Sequence, residues 1–285
     1  MYRLETDAGA VCLRCWPDAA LPVPRILGLH RLLRETFRGG VSTVAVPIER
    51  CDGSTLVSEA GRLWQLEPWM PGRADFHSHP TVQRLRAAMR ALAAWHRAAA
   101  TFQPQLSEAA WFHCCRDAPS PAVTERLERL HDWRGERGRR LRSESAVESD
   151  PELRAVAERI LTAFDRAAPR IGLELRQAAS LRFDLQPCLR DVWHDHVLFS
   201  GDEVTGLIDP SACRTEHVAA DLSRLIGSLI GDERALWDAA LEEYSRSRPL
   251  SDGERRLVAV LDHSGVLLAG LTWLDRRYLQ RHTWP

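Results

Sequence analysis

The residues of this chain best placed to do chemistry are two carboxylates and two histidines gathered between Leu189 and Pro210. The segment runs Leu-Arg-Asp-Val-Trp-His-Asp-His-Val-Leu-Phe, then Ser-Gly-Asp-Glu, then Val-Thr-Gly-Leu-Ile-Asp-Pro. β-Branched and aromatic runs at Val192–Phe199 and Val204–Ile208 flank a polar Gly/Asp turn, the pattern of a β-hairpin. Asp191 enters the hairpin and Asp209 leaves it. The two can therefore converge on one side, one to serve a proton transfer and the other a cation. A lone Asp between strands is most often a turn or cap residue; two at the ends of one hairpin point to a site. His194-Asp195-His196 offers a rival chemistry. Alternate residues of a strand face one way, so His194 and His196, joined by Asp191 and Asp209, would suit a metal-dependent hydrolase.

The elements that must hold this segment follow from periodicity. Tyr2–Thr6 and Ala10–Trp16, joined by Asp7-Ala-Gly9, read as a hairpin closed by Pro17, Pro22 and Pro24. Ile26–Phe37 places Ile26, Leu29, Leu32 and Leu33 on one helical face and ends at Gly39-Gly40. Val41–Ile48, Ser54–Glu59 and Arg62–Glu67 read as short strands, and Pro71-Gly72 then punctuates. Beyond it Val82–Ala100, Val123–Trp133 and Leu153–Ala168 have helical spacing. So do stretches from Val218, Asp232 and Asp252, the last preceded by a Ser251-Asp-Gly-Glu254 capping box. Arg134–Asp150 lacks apolar periodicity and reads as a mobile surface loop. The expected class is α+β: a β-rich part over residues 1–69 with one helix, and a mostly helical part over 70–285 carrying the hairpin 189–209.

Composition removes several alternatives. With 285 residues, 45% hydrophobic and 27% charged, the chain has ample material for a core and an ordinary soluble make-up. A net charge of −1 implies no bulk attraction to nucleic acid or to an anionic membrane. The sequence contains no lysine and no asparagine, and all 38 basic residues are arginine. A P-loop lysine, a Schiff-base lysine and N-linked glycosylation are thereby excluded. Seven cysteines are scattered, and Cys12-Leu-Arg-Cys15 has no second C-x-x-C to complete a zinc site. They read as buried or half-buried free thiols in a reducing cytoplasm. No apolar signal-peptide segment follows Met1, and the longest apolar stretch, around Val266–Leu274, is short for a bilayer. The expected location is the cytoplasm.

In order and spacing these motifs resemble the aminoglycoside phosphotransferase and choline-kinase-like family, of protein-kinase-like fold, over nearly the whole chain. Catalytic loops of protein kinases run H-R-D-x-x-x-x-N, with D-F-G further on. The resemblance puts Asp191 at the catalytic base, His196 at the metal-binding Asn and Asp209 at the metal-binding Asp. Val218-Ala-Ala-Asp221-Leu resembles the next helix, whose Asp braces the catalytic loop, and Leu92–His96 resembles the Leu-His helix of the large lobe. Leu66-Glu-Pro-Trp-Met-Pro-Gly72 resembles the hinge that receives adenine, which brings Glu67 and Trp69 to the nucleotide. Arg14 stands where a lysine would hold the phosphates, and Glu35 where that lysine's acidic partner would lie.

The implied function is transfer of a phosphoryl group from ATP or GTP, with Mg2+ or Mn2+, to a hydroxyl of a small molecule. A non-catalytic kinase-like binding module is the alternative. Departures from the family pattern are specific. Leu189 replaces the opening His, Pro210-Ser211 replaces Phe-Gly, and the nitrogen donor His196 suits manganese or zinc better than magnesium. No Gly-rich segment precedes Tyr2–Thr6, so a small lobe lacking the family's first strand and phosphate-covering loop is expected, and activity with it is in question. A cationic acceptor would call for acids in the helical lobe. Asp195, Glu216, Asp232, Glu233, Glu242 and Glu243 are available there, but at positions that solvated helix faces equally explain. A small alcohol is therefore expected in preference to an antibiotic.

Overall fold

The computed structural model describes residues 1–17 and 21–282. Its first hairpin joins β1 (Tyr2–Thr6) to β2 (Gly9–Trp16), and alternation along β2 turns Cys12, Arg14 and Trp16 inward. Helix α1 (Val23–Arg38) starts on Pro22 and Pro24 and stops at Gly39, burying Ile26, Leu29, Leu32 and Leu33. Strands β3 (Val57–Glu59) and β4 (Arg62–Pro68) complete an antiparallel sheet of order β1-β2-β4-β3, lying wholly within residues 1–69. The expected strand Val41–Ile48 is instead irregular. Thr43 and Val44 meet Leu207 while Ile48 bonds to Leu66, so its few bonds go to different partners and no ladder forms.

Helix α2 (Val82–Ala99) is capped by the Thr81 hydroxyl, which accepts from the Arg84 amide at 3.1 Å, and buries Leu85, Met89, Leu92 and Trp95. The chain then runs through β5 (Cys115–Ala118), α3 (Pro121–Arg134), α4 (Glu136–Ala146) and α5 (Pro151–Ala179). The expectation of a loop over Arg134–Asp150 fails. One buried apolar side chain, Leu141, together with Gly138 set against the Trp133 carbonyl and an Arg142–Asp165 pair at 2.7 Å, fixes a helix that has no apolar stripe. Tertiary contacts overrode a polar sequence.

Strand β6 (Phe183–Cys188) leads into the Asp191 segment, followed by β7 (Val197–Ser200), β8 (Glu203–Leu207) and β9 (Arg214–Glu216). β7 and β8 form the expected hairpin, but its first strand is shorter than the run Val192–Phe199 suggests. His194–His196 is a 3-10 turn. At about three residues per turn, His194 and His196 point in different directions, which removes the shared face that the hydrolase reading required. Helices α6 (Ala219–Ile230), α7 (Arg234–Ser247) and α8 (Asp252–Tyr278) end the described chain.

Two compact units result, one from Met1–Arg116 with Asp184–Ser251 and the other from Asp117–Phe183 with Asp252–Pro285. In the first, α2 packs on α7, and β6 pairs with β9. In the second, α8 packs along α5 and α3. α8 is long and apolar enough, by length and composition, to cross a membrane, although no apolar run in the sequence suggested it. Within its unit it buries Leu257, Leu261, Leu268, Leu271 and Leu274, and its Asp275 is held by Arg137 at 2.7 Å, the marks of a core helix. All seven cysteines are free thiols; Cys51 and Cys114 are exposed, contrary to the buried or half-buried expectation.

Candidate active site

The loop that presents Asp191 is held from beneath by one carboxylate. Asp221, fully buried in the first turn of α6, accepts the amides of Leu189 and Arg190 at 2.7 and 2.6 Å. His96 on α2 lies 3.0 Å from the same carboxylate through Nε2 and 2.7 Å from the Tyr244 hydroxyl through Nδ1. Burial lowers the His96 pKa, although Asp221 opposes the shift. The neutral ring therefore donates Nε2–H to Asp221 and accepts the Tyr244 hydroxyl on Nδ1. Both amide bonds require the backbone to turn sharply at Arg190, whose φ is 64°. A left-handed arginine is an uncommon, strained conformation, held here because both neighbouring amides are anchored.

Asp191 emerges half-exposed, with Arg224 of α6 at 2.8 Å. His196 is fully engaged. Its Nδ1 lies 2.7 Å from the Asp191 carbonyl and so carries the proton, which leaves Nε2 to accept Trp193 Nε1–H at 3.0 Å. The hairpin is tied to this loop by the Ile208 amide, which donates to the His196 carbonyl at 3.0 Å. His194 turns the other way, its ring edge-on to His77 with centroids 4.4 Å apart.

Opposite this loop, the hairpin delivers Asp209 to Arg14. The ion pair from Nη1 to Oδ1 is 2.9 Å long and joins β2 to the end of β8. Asp209 also sits in the left-handed region, at φ 53°. Burial alone would raise its pKa, but the Arg14 guanidinium and the Ser211 hydroxyl hold it below the usual carboxylate range. Arg14 in turn lies 3.8 Å from Glu67, whose carboxyl is pushed up by burial against the pull of Arg14. Behind Glu67 runs a buried polar chain. Gln65 donates to Glu67 at 2.6 Å, and its carbonyl accepts from Trp16 and from His30, each at 2.8 Å. Because that carbonyl can only accept, His30 carries its proton on Nε2, and its Nδ1 accepts the Thr55 hydroxyl at 2.7 Å.

The structure therefore brings Arg14, Glu67 and Asp209 together, and separately Asp191 and His196. Glu35 is not among them. It pairs with Arg31 at 2.5 Å, one turn away on α1, and Arg31 also grips Glu108. The strand residue Glu67 has taken the place expected for the helical acid, with His30, not Glu35, connecting α1 to the network. Trp69 stands 43% exposed under Arg3, and its amide donates to the Ala10 carbonyl at 3.1 Å. Sequence reasoning missed His30 and Gln65. The available signal was a histidine on the apolar face of α1, between Ile26 and Leu33, where burial demands a partner.

Metal and nucleotide fit unequally. Asp209 offers a carboxylate beside an arginine, and Arg14 Nε is buried without a hydrogen-bond partner, so a phosphate-bearing ligand would find charge and an unused donor there. His196 has both ring nitrogens committed and, as placed, offers no lone pair to a cation. Among the described residues, the group with three possible ligand atoms close together is His96, Cys188 and Asp221, all buried and already hydrogen-bonded. Neither His194 nor His196 belongs to such a group, which further removes the hydrolase reading.

A model of the phosphotransferase enzyme family matches residues 1–258. The chain belongs to that family. No curated protein sequence matches it. Among solved structures, this phosphotransferase-family chain is similar to an aminoglycoside phosphotransferase from Alicyclobacillus acidocaldarius, at 15% identity and TM-score 0.71, covering 97% of this chain and 79% of that one. A spectinomycin phosphotransferase in complex with ADP and spectinomycin gives 11% identity and TM-score 0.68, over 99% and 79% of the two chains. An amicoumacin kinase bound to AMP-PNP and Ca2+ gives 16% and 0.63, over 95% and 78%. At such identities the likeness is one of fold, and the fold of this phosphotransferase-family member is α+β and kinase-like.

Proposed function

We propose that the protein transfers the terminal phosphoryl group of ATP or GTP to the hydroxyl of a small molecule in the cytoplasm. The observation that carries this reading is the Arg14–Asp209 pair, a buried guanidinium on β2 and a carboxylate just past β8, brought together from far apart in sequence. Asp191 is the base: it accepts the hydroxyl proton as the oxygen bonds to phosphorus and the bond to the leaving nucleoside diphosphate breaks. Arg14 steadies the phosphates through its fork, and Glu67 orients Arg14. Asp209 would hold the divalent cation, Mg2+ or Mn2+, which when bound would spread the charge of the phosphate oxygens. His196 acts as a brace for the Asp191 backbone in place of a cation ligand. The segment near Glu67 and Trp69 is the adenine-receiving hinge, with residues 1–69 and 70–285 as the two lobes it joins.

The committed state of His196 supports a second reading, a binding module that keeps the nucleotide and has lost turnover. Calorimetric titration with AMP-PNP, with and without Mg2+ or Mn2+, followed by ADP release on a panel of hydroxylated metabolites and aminoglycosides, tests both. Binding with turnover supports the transferase. Binding without turnover supports the module, and no binding sinks both.

A further inference from the structure

Helix α6 connects Asp191 to a cavity that the preceding account does not use. Arg224 pairs with Asp191, and one turn on, Ser228 Oγ accepts the amide of His194 at 3.0 Å. The next residues, Leu229 and Ile230, line a cavity of about 390 Å3. Six residues of α-helix rise about 9 Å, which sets the axial separation of Arg224 from Ile230. Phe76, Pro80, Val82, Leu85 and Leu236 supply the rest of its apolar wall, and its polar lining includes His77 and Glu233. His77 touches His194 edge-on, so the cavity wall continues into the Asp191 loop as aromatic rings.

The wall of the cavity itself offers a polycationic occupant one acid, Glu233. Glu216 is fully buried against Arg190 at 3.5 Å, and Glu243 is buried between Arg90 and Arg246 at 3.2 and 2.9 Å. Asp195 sits 3.3 Å from His194 on the exposed side of the loop and does not line the cavity. One lining acid, Glu233, is too little to replace the hydration of several ammonium groups. An apolar cavity of this size with few polar groups suits a ring-sized body.

Resting on the phosphotransferase reading, we infer that the acceptor is an uncharged alcohol whose apolar ring occupies this cavity while its hydroxyl reaches Asp191. The test uses the full chain and a panel of neutral aryl and cyclic alcohols, 2-phenylethanol among them, against kanamycin as the polycationic probe. ADP release with ATP and Mg2+ should favour a panel alcohol over kanamycin. Filling the cavity by Ile230→Trp or by Val82→Trp, from two different helices, should raise its KM at least tenfold and change kcat less than twofold. Circular dichroism identifies a variant that has not folded, and the other then decides. Higher kcat/KM on kanamycin, or a KM unmoved by the folded cavity variants, overturns the inference and leaves the transferase standing. A tenfold loss in Glu233→Gln overturns it too, because the ligand is then a cation. Failure to bind AMP-PNP overturns the transferase reading and the acceptor role together.

Discussion

At the residue scale, Asp191 and Asp209 differ in surroundings, and the difference predicts different losses. Asp191 is half-exposed and anchored by its backbone, so Asp191→Ala should fold normally and bind AMP-PNP unchanged. ADP release should fall by roughly 10²–10⁴-fold, the contribution of a general base. Arg14→Met should act at the other position, leaving Asp209 and Glu67 without their shared cation. A loss of stability on the order of 2 kcal/mol in urea denaturation is expected, with weaker nucleotide binding. His30 adds a pH dependence. Burial lowers its pKa from 6.5 to about 4, against the opposing hydrogen bond to Gln65. Between those values the unfolded chain binds a proton that the native one does not, so stability falls as pH drops from about 6.5 toward 4. The full shift corresponds to about 3 kcal/mol. His30→Gln should flatten that part of a stability-against-pH curve, and an unchanged slope would contradict the assignment.

At the scale of elements, the connection after β4 shows how backbone geometry sets the hairpin. Arg73 and Phe199 exchange both amide bonds at 2.9 Å, which lays the segment after β4 against β7. Gly72 makes that approach possible, at φ 99°, where a Cβ would collide with Thr205 Oγ1 and lie 2.6 Å from the Phe199 carbonyl. Gly72→Ala should cost roughly 2 kcal/mol or more, since it combines a disallowed φ with a backbone clash. The midpoint of urea unfolding reads this directly, and a change below about 0.5 kcal/mol would show that the approach is not needed. Residues Pro71-Gly72 were legible as punctuation. That their role is to dock against a strand more than a hundred residues later was not.

On the scale of the whole molecule, every residue of the candidate site belongs to the unit built from Met1–Arg116 and Asp184–Ser251, two stretches separated by an excursion into the other. Nucleotide binding should therefore slow amide exchange in Gly9–Trp16, Arg62–Pro68 and 189–216. The helices α3 to α5 should be little affected, as read by hydrogen exchange with and without AMP-PNP. Protection confined to those helices would move the site elsewhere.

The sequence by itself determined the types and order of the groups to which the proposed function assigns the chemistry. Asp191, Asp209 and Asp221 were legible because turn chemistry and apolar periodicity are local, and their spacing along the chain carries the family pattern. The central strands and long helices were legible for the same reason. Only the tertiary structure decided which groups meet. Arg14 found Glu67 and not Glu35, because Glu67 alternates inward on a neighbouring strand of β2 while Glu35 lies one helical turn from a competing arginine. His196 became a brace because a 3-10 turn, not a strand, carried it to Trp193 and the Asp191 carbonyl. α4 formed because Leu141 and Gly138 found partners that the sequence could not display. Local chemistry is written residue by residue, whereas pairing across hundreds of residues depends on burial and on the competition between partners, which exist once the chain is folded.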